Sequence, residues 1–230
     1  MFCLVCSAKI KSQLVLKNMP DGAQHFAKTA LQGKSCSTSM ELCECAECGT
    51  VQHFGPLVAN YKSAVRSTKF SGAMQEFRKR QFFEIKELLH RQDPSVFELG
   101  AGEGEYLDIF QSLGFKTYGV EYSKNATKKA KDRGHEVERG YFLDKKYQQY
   151  FPKDWFDVVT SFNFIEHLPK PREALSILCK MLKPDGVALL EVPNFDIINQ
   201  LSLFNEFIPD HISYFTESTF QNLLSISGFE

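Results

Sequence analysis

From Val96 onward, short apolar runs alternate with stretches of helical spacing. SVFEL (95–99) is followed by a segment whose apolar positions Leu107, Phe110 and Leu113 fall on one helix face. KTYGVEY (116–122) leads into a polar helix over 123–133 that Gly134 ends, with Ala126 and Ala130 on its inner side, and a short strand follows around Val137. WFDVVTSF (155–162) passes through IEHLPKP to a helix over 172–182, the turn KPDG and the strand VALLEV (187–192). Strands separated by helices in this rhythm predict an α/β fold with a Rossmann-like, doubly wound parallel sheet. Ligands of such sheets bind at the carboxyl ends of the strands. Before the first strand, Met74, Phe77, Phe82, Ile85, Leu88 and Leu89 recur at helical spacing, and Asp93-Pro94 marks the stop. No internal repeat or low-complexity tract is found.

The cysteines change this picture. Six of the seven lie in the first 48 residues of the 230-residue chain, which marks off a small N-terminal domain. The organisation expected is a zinc-binding domain over 1–55, a helical connector over 56–92 and a catalytic α/β domain over 93–230. Cys3-Leu-Val-Cys6 and Cys45-Ala-Glu-Cys48 are two C-x-x-C knuckles, a spacing that turns two thiolates to one side of the backbone, and four thiolates suit tetrahedral Zn2+. Gly49 supports the second knuckle, because such a turn favours a residue tolerating positive φ. Four cysteines leave no position for water, so the metal is structural. The 38 residues between Cys6 and Cys45 exceed the ribbon spacing of roughly 15 to 20, so the insert must fold as well. Cys36 and Cys43 are given no role.

Charge narrows the partners. A net charge of −1 with both signs interspersed builds no field that would gather nucleic acid or an anionic membrane, which leaves a small molecule as the expected partner. The run SKNATKKAKDR is the solvated face of a helix. No basic stretch followed by a long apolar one opens the chain, and about 18 consecutive apolar residues occur nowhere, so a cytoplasmic protein is expected.

The chemistry concentrates at GAGEG, residues 100–104. Gly100, Gly102 and Gly104 stand where a strand hands over to a helix, and missing side chains there let a ligand touch the backbone. The spacing is G-x-G-x-G rather than the dinucleotide fingerprint G-x-G-x-x-G. Glu98, Glu103 and Glu105 also crowd the site with negative charge, which a pyrophosphate would not tolerate. S-adenosylmethionine carries a sulfonium, an ammonium and no phosphate, and is compatible with those acids. Glu121, 17 residues past Gly104 at the end of the second strand, is placed to accept hydrogen bonds from both ribose hydroxyls. That acid also occurs in NAD sites and supports an adenosine ligand without choosing between the two.

Taken together, these residues resemble the class I S-adenosylmethionine-dependent methyltransferases. VFELGAGEG is similar to their glycine-rich first motif, GVEYS to their ribose-binding segment, FDVVTSFNFIEHL to their fourth strand, and LKPDGVALLEVPN to their fifth. The order CLVC, NMPDGAQHF, CAECGTVQ, then the α/β core and DHISYFTESTFQNLLSISGFE, resembles the sugar C-methyltransferases with an N-terminal zinc-binding domain. In that group the later segment reads E-H-x-x-Y-F-T; here Asp210 replaces the glutamate.

The resemblance implies cofactor contacts from Glu98, Gly100, Ala101, Gly102, Gly104, Glu121, Tyr122 and Asn163. It also implies acid/base candidates His167 and His211, with Glu166 alongside, Asp210 orienting His211 and Tyr214 near the acceptor. The acceptor implied is a nucleotide-linked sugar or cell-surface glycan precursor, methylated on carbon. An O- or N-methyltransferase and a zinc-anchored binding module are the rivals. The loop holding Phe195, Phe204, Phe207 and Phe215 is expected to be a lid or a core patch, before a helix that Thr216 caps. The chain stops at Glu230, where the last helix would hand over to the final strands, so a C-terminal part of the sheet and a further domain are expected to be missing.

Overall fold

The computed structural model describes residues 1–11, 13–20, 29–31, 37–54, 71–144 and 153–230. Cys36 and residues 56–70 of the expected connector lie outside them. The chain forms two compact units, one of Met1–Ala64, Ile165–Leu175 and Val192–Glu230, the other of Val65–Phe164 and Ser176–Glu191.

The second unit holds the parallel sheet. Its elements are α1 (Gly72–Leu89), β4 (Ser95–Leu99), α2 (Glu105–Ser112), β5 (Lys116–Glu121), α3 (Lys124–Asp132), β6 (Glu136–Arg139), β7 (Phe156–Phe162) and β8 (Leu182–Glu191), the strands before β4 belonging to the first unit. The strand order is β6-β5-β4-β7-β8, and every pairing is parallel. Both β4 and β7 are buried along their whole length, as central parallel strands covered on both faces must be. The core joins Phe82, Ile85, Val96, Leu107, Phe110, Val137, Val158 and Phe162, with Phe82 stacked on Phe110 at 3.8 Å between ring centroids.

Local chemistry explains the boundaries. Ser71 caps α1 by accepting from the Met74 amide, and Ser123 caps α3 by accepting from Ala126. Helix α1 stops at His90, which takes a left-handed φ of 49°, short of the stop expected at Asp93-Pro94. Only half of its expected apolar stripe is inward: Phe82, Ile85 and Leu89 are buried, whereas Met74, Phe77 and Leu88 are exposed. The KPDG turn expected before the last strand is a bulge within β8. Leu182 pairs with Phe156 and Val187 already with Val158, so residues 183–186 stand opposite Asp157 alone and bulge from the ladder.

In the first unit, β1 (Leu14–Pro20), β2 (Ser37–Glu44) and β3 (Val51–His53) form an antiparallel sheet, so the insert between the knuckles does fold. A further strand, β9 (Ser213–Tyr214), pairs with β3, Val51 opposite Tyr214. The chain order there is a 3-10 turn at Ile165–His167, α4 (Pro171–Met181) leading out of this unit, then α5 (Phe195–Gln200), β9 and α6 (Glu217–Ser227). Thr216 caps α6: its hydroxyl accepts from the Thr219 amide, and Thr219 returns the bond to the Thr216 amide. Among the described residues no helix is long and apolar enough to cross a membrane.

Candidate active site and metal centre

The two knuckles converge. The Sγ atoms of Cys3, Cys6, Cys45 and Cys48 lie within 4.8 Å of one another, with Cys3 and Cys48 at 3.6 Å and Cys6 and Cys45 at 3.6 Å. A tetrahedral zinc with bonds of about 2.3 Å holds its sulfurs roughly 3.8 Å apart, so this donor set fits the ion with little movement. Gly49 has φ 73° and donates its amide to the Cys45 carbonyl, the turn that its position predicts. Gln52, a residue the motif spacing does not single out, supports Cys3. Its Nε2 donates to Sγ at 2.9 Å, and its Oε1 accepts from the Leu4 amide.

Burial alone would raise the Cys3 thiol, but the amides of Cys6 and Val5 and the Gln52 side chain outweigh it and bring it down to about 7. Burial and the neighbouring sulfurs push Cys6 up to about 12. One thiolate thus opposes the next, and a dication between them removes the conflict. Cys43 is buried in β2 outside this cluster, and its thiol reaches the Glu44 carbonyl.

At the carboxyl end of β4, Gly100, Gly102 and Gly104 all have positive φ (76°, 56° and 88°). Two of these glycines answer to packing. A Cβ on Gly100 would sit 2.9 Å from the Phe164 ring, and one on Gly104 2.7 Å from Cδ2 of His135. The turn amides of Gly100, Ala101 and Gly104 donate to main-chain carbonyls, and that of Gly102 donates to Oε2 of Glu121 at 3.1 Å. A row of free amides, which a diphosphate would need, is therefore not what this turn offers.

Glu121 receives the Gly102 bond at the end of β5. Its Oε1 accepts from the Ser123 amide at 2.6 Å, so two main-chain donors fix the carboxylate while about half of its lone pairs stay available. Asn163, at φ 48°, donates its side-chain amide to Oε1 of Glu191, whose Oε2 meets the buried Arg78 at 2.5 Å. Glu191 and Arg78 are unassigned by the motif reading. An acid ending the last strand of the sheet was the available signal.

Other expected contacts are placed differently. Ala101 is fully buried, its methyl filling the space left by Gly119, so its side chain packs the sheet and does not face a ligand. Glu98 is fully buried in β4. Glu103, counted above as free negative charge, is paired with Lys129 at 2.6 Å. Tyr122 is exposed.

The expected acid/base residues gather in the first unit. Glu166, His167 and His211 are buried, with ligand-type atoms within 4.8 Å of one another, and the two imidazoles meet edge to face at 4.8 Å. The 3-10 turn at 165–167 and the loop before β9 are joined by the Ile212 amide, which donates to the Glu166 carbonyl. Tyr214 lies 6.0 Å from His211, ring to ring, but its hydroxyl is engaged with the main chain of Ile208, donating to the carbonyl and accepting from the amide.

The expected role of Asp210 needs correcting. What it offers is its main-chain carbonyl, 2.7 Å from Nδ1 of His167; its carboxylate makes no bond to His211 among the described residues. A carbonyl only accepts, so His167 carries its proton on Nδ1 and presents a bare Nε2. Burial lowers His167, with Asp210 working the other way. Burial and then His167 push His211 down to about 3. Both rings are neutral at pH 7. The aromatic loop resolves into packing: Phe195, Phe207 and Tyr214 lie against one another and against the Met40 and Leu42 face of the N-terminal sheet. Phe204 stays exposed, and Phe215 is buried against Phe220.

A sequence profile described as a methyltransferase domain matches residues 74–230. The chain belongs to the methyltransferase-domain family. This methyltransferase chain is 26% identical to a C-methyltransferase, NovU, of Streptomyces niveus, over 58% of its own length and 32% of the relative's. It is 30% identical to a ubiquinone biosynthesis O-methyltransferase of Thiobacillus denitrificans over 40% of each chain. It thus spans 32% and 40% of the two curated relatives just named. In fold it is similar to a SAM-dependent methyltransferase from Archaeoglobus fulgidus, with a TM-score of 0.54 and 23% identity over 68% of this chain and 69% of the other.

Proposed function

We propose that this chain takes part in S-adenosylmethionine-dependent methylation of a small polar metabolite, and that the acceptor is a nucleotide-linked sugar or a related glycan precursor methylated on carbon. The observation that carries the cofactor is the Glu121 carboxylate, fixed by the amides of Gly102 and Ser123 beside a turn whose own amides are already committed. When bound, the cofactor supplies a methyl group activated by its sulfonium; the protein's part is to orient the acceptor and take up a proton. Glu121 would hold the ribose hydroxyls. Asn163, tied to Glu191, would line the same strand ends.

The cluster of Glu166, His167, His211 and Tyr214 is the acceptor-side group in this reading. Its neutral imidazoles have lone pairs that can take a proton. The four cysteines would hold one structural zinc, and the reaction would take place in the cytoplasm. Support for carbon as the methylated atom comes from the sequence resemblance and the similarity to a C-methyltransferase; the similarity to O-methyltransferases supports oxygen as the second reading.

S-adenosylhomocysteine raises the melting temperature, as a ligand confined to the folded state must, and NAD does not. Stabilisation by NAD alone would overturn the cofactor. Turnover is then read with labelled S-adenosylmethionine on nucleotide sugars and on catechols, the product's new bond separating carbon from oxygen transfer. His211→Ala keeps S-adenosylhomocysteine affinity and loses about 100-fold or more in turnover, the scale of a lost general base.

A further inference from the structure

We infer that Glu166, His167 and His211 form a second metal site, distinct from the cysteine cluster, that takes a divalent first-row transition ion. Two histidines and one carboxylate are the donor set of open, three-coordinate protein sites for such ions. All three residues are buried. Oε1 of Glu166 stands 3.8 Å from Nε2 of His167, and the three ligand-type atoms span at most 4.8 Å. An ion with bonds of about 2.1 Å holds its ligand atoms roughly 3 to 3.5 Å apart, and small rotations about side-chain bonds close that gap.

The tautomer is the stronger observation. With Nδ1–H given to the Asp210 carbonyl at 2.7 Å, His167 turns a lone pair toward a carboxylate oxygen. A ligating histidine commonly donates its other ring N–H to a main-chain carbonyl, which fixes the ring for the metal; His167 is held in that way. Oδ1 of Asp210 is buried without a hydrogen-bond partner among the described residues. The Tyr214 hydroxyl is committed to Ile208 and does not compete for the lone pairs.

Three protein ligands leave coordination positions open, and an ion so held would bind an oxygen of the acceptor and acidify it as a Lewis acid. A histidine that gives its lone pair to an ion no longer takes a proton, so the proton-accepting role of the imidazoles belongs to the ion-free site. The inference concerns ion binding alone and is tested without cofactor or acceptor, so its failure leaves the methyl-transfer reading standing, and the reverse.

The experiment titrates the full chain, with its cysteine cluster filled by zinc, with Co2+ near neutral pH. The result expected is a further equivalent of cobalt with weak visible bands and no thiolate-to-cobalt charge-transfer absorption. It also includes a hyperfine-shifted, exchangeable proton signal from Nδ1–H of His167. Glu166→Gln and His167→Gln abolish that equivalent while zinc content and far-ultraviolet circular dichroism stay as in the parent. Cobalt that enters only by displacing zinc from sulfur overturns the inference, as does folded Glu166→Gln protein binding cobalt like the parent. Should the variants fail to fold, the parent decides alone: a thiolate-free equivalent without the shifted proton excludes His167 as ligand.

Discussion

The amide of Gly102 donates to Oε2 of Glu121 at 3.1 Å, and this bond ties the glycine turn after β4 to the end of β5. It makes the turn and the acid one device, because a carboxylate held from behind by two amides keeps its remaining lone pairs aimed without side-chain motion. Glu121→Ala therefore weakens S-adenosylhomocysteine binding by about 1.5 to 3 kcal/mol, the range for hydrogen bonds to a charged group, as read by calorimetry. Glu121→Gln costs nearly as much, since its NH2 must oppose one of the two amides. An affinity unchanged in both variants would remove Glu121 from the site.

Gly104 is constrained by packing. Its φ of 88° and the 2.7 Å approach to His135 mean that a methyl group there is strained and also collides with a ring held by Thr117 and Asp108. Gly104→Ala lowers stability by roughly 1 to 3 kcal/mol, measured by urea unfolding. Truncating the ring as well, in Gly104→Ala with His135→Ala, relieves the collision but leaves the backbone strain. If the single variant unfolds at the parent's urea concentration, the turn is freer than its geometry implies.

The cysteine cluster separates ligand from bystander. Elemental analysis finds about one sulfur-bound zinc per chain, Cys45→Ser loses it and destabilises the N-terminal sheet, and Cys43→Ser keeps it, because metal binding and folding are coupled in such modules. Zinc retained by Cys45→Ser would dismiss the four-thiolate site.

Much of this was legible because the signals are local. The 3.6-residue period, the helix stop at Gly134, the cap at Thr216 and the C-x-x-C turns are each written within a few residues, and the strand-helix rhythm from Val96 to Glu191 followed. What escaped depends on distant partners. The pairing of Ser213–Tyr214 with Val51–Gln52 joins the histidine loop to the cysteine-bearing sheet. Two-residue strands carry no period that could announce it. The contribution of Asp210 is a carbonyl, which every residue has, so its side chain suggested the wrong bond. The half-exposed stripe of α1 shows that a periodic pattern fixes a helix but not how much of its face is covered.

Asp157 offers a test through pH. Its carboxylate accepts from the Ser95 amide at 2.8 Å and the Ser95 hydroxyl at 2.9 Å, and it meets Arg91 at 2.6 Å and Lys183 at 2.9 Å. These bonds join the starts of β4 and β7 to the bulge in β8. Burial by itself would raise this acid, but the Ser95 amide, Lys183 and the Ser95 hydroxyl outweigh it and hold it below its ordinary value of 3.8. A depressed folded-state pKa means that the unfolded chain takes up the proton first as acid is added. The stability Asp157 contributes is therefore present in full above pH 3.8 and drains away as pH falls through the lower folded value. Asp157→Asn keeps the size and loses the charge, and at pH 7 it costs about 2 to 3 kcal/mol, as expected for charge-assisted bonds within a buried group. Urea unfolding of parent and variant between pH 7 and pH 2 should show a constant gap down to about pH 4 to 5 that narrows below it. A gap that stays constant to pH 2 would mean that Asp157 titrates alike in both states and that its four partners do not favour the charged form.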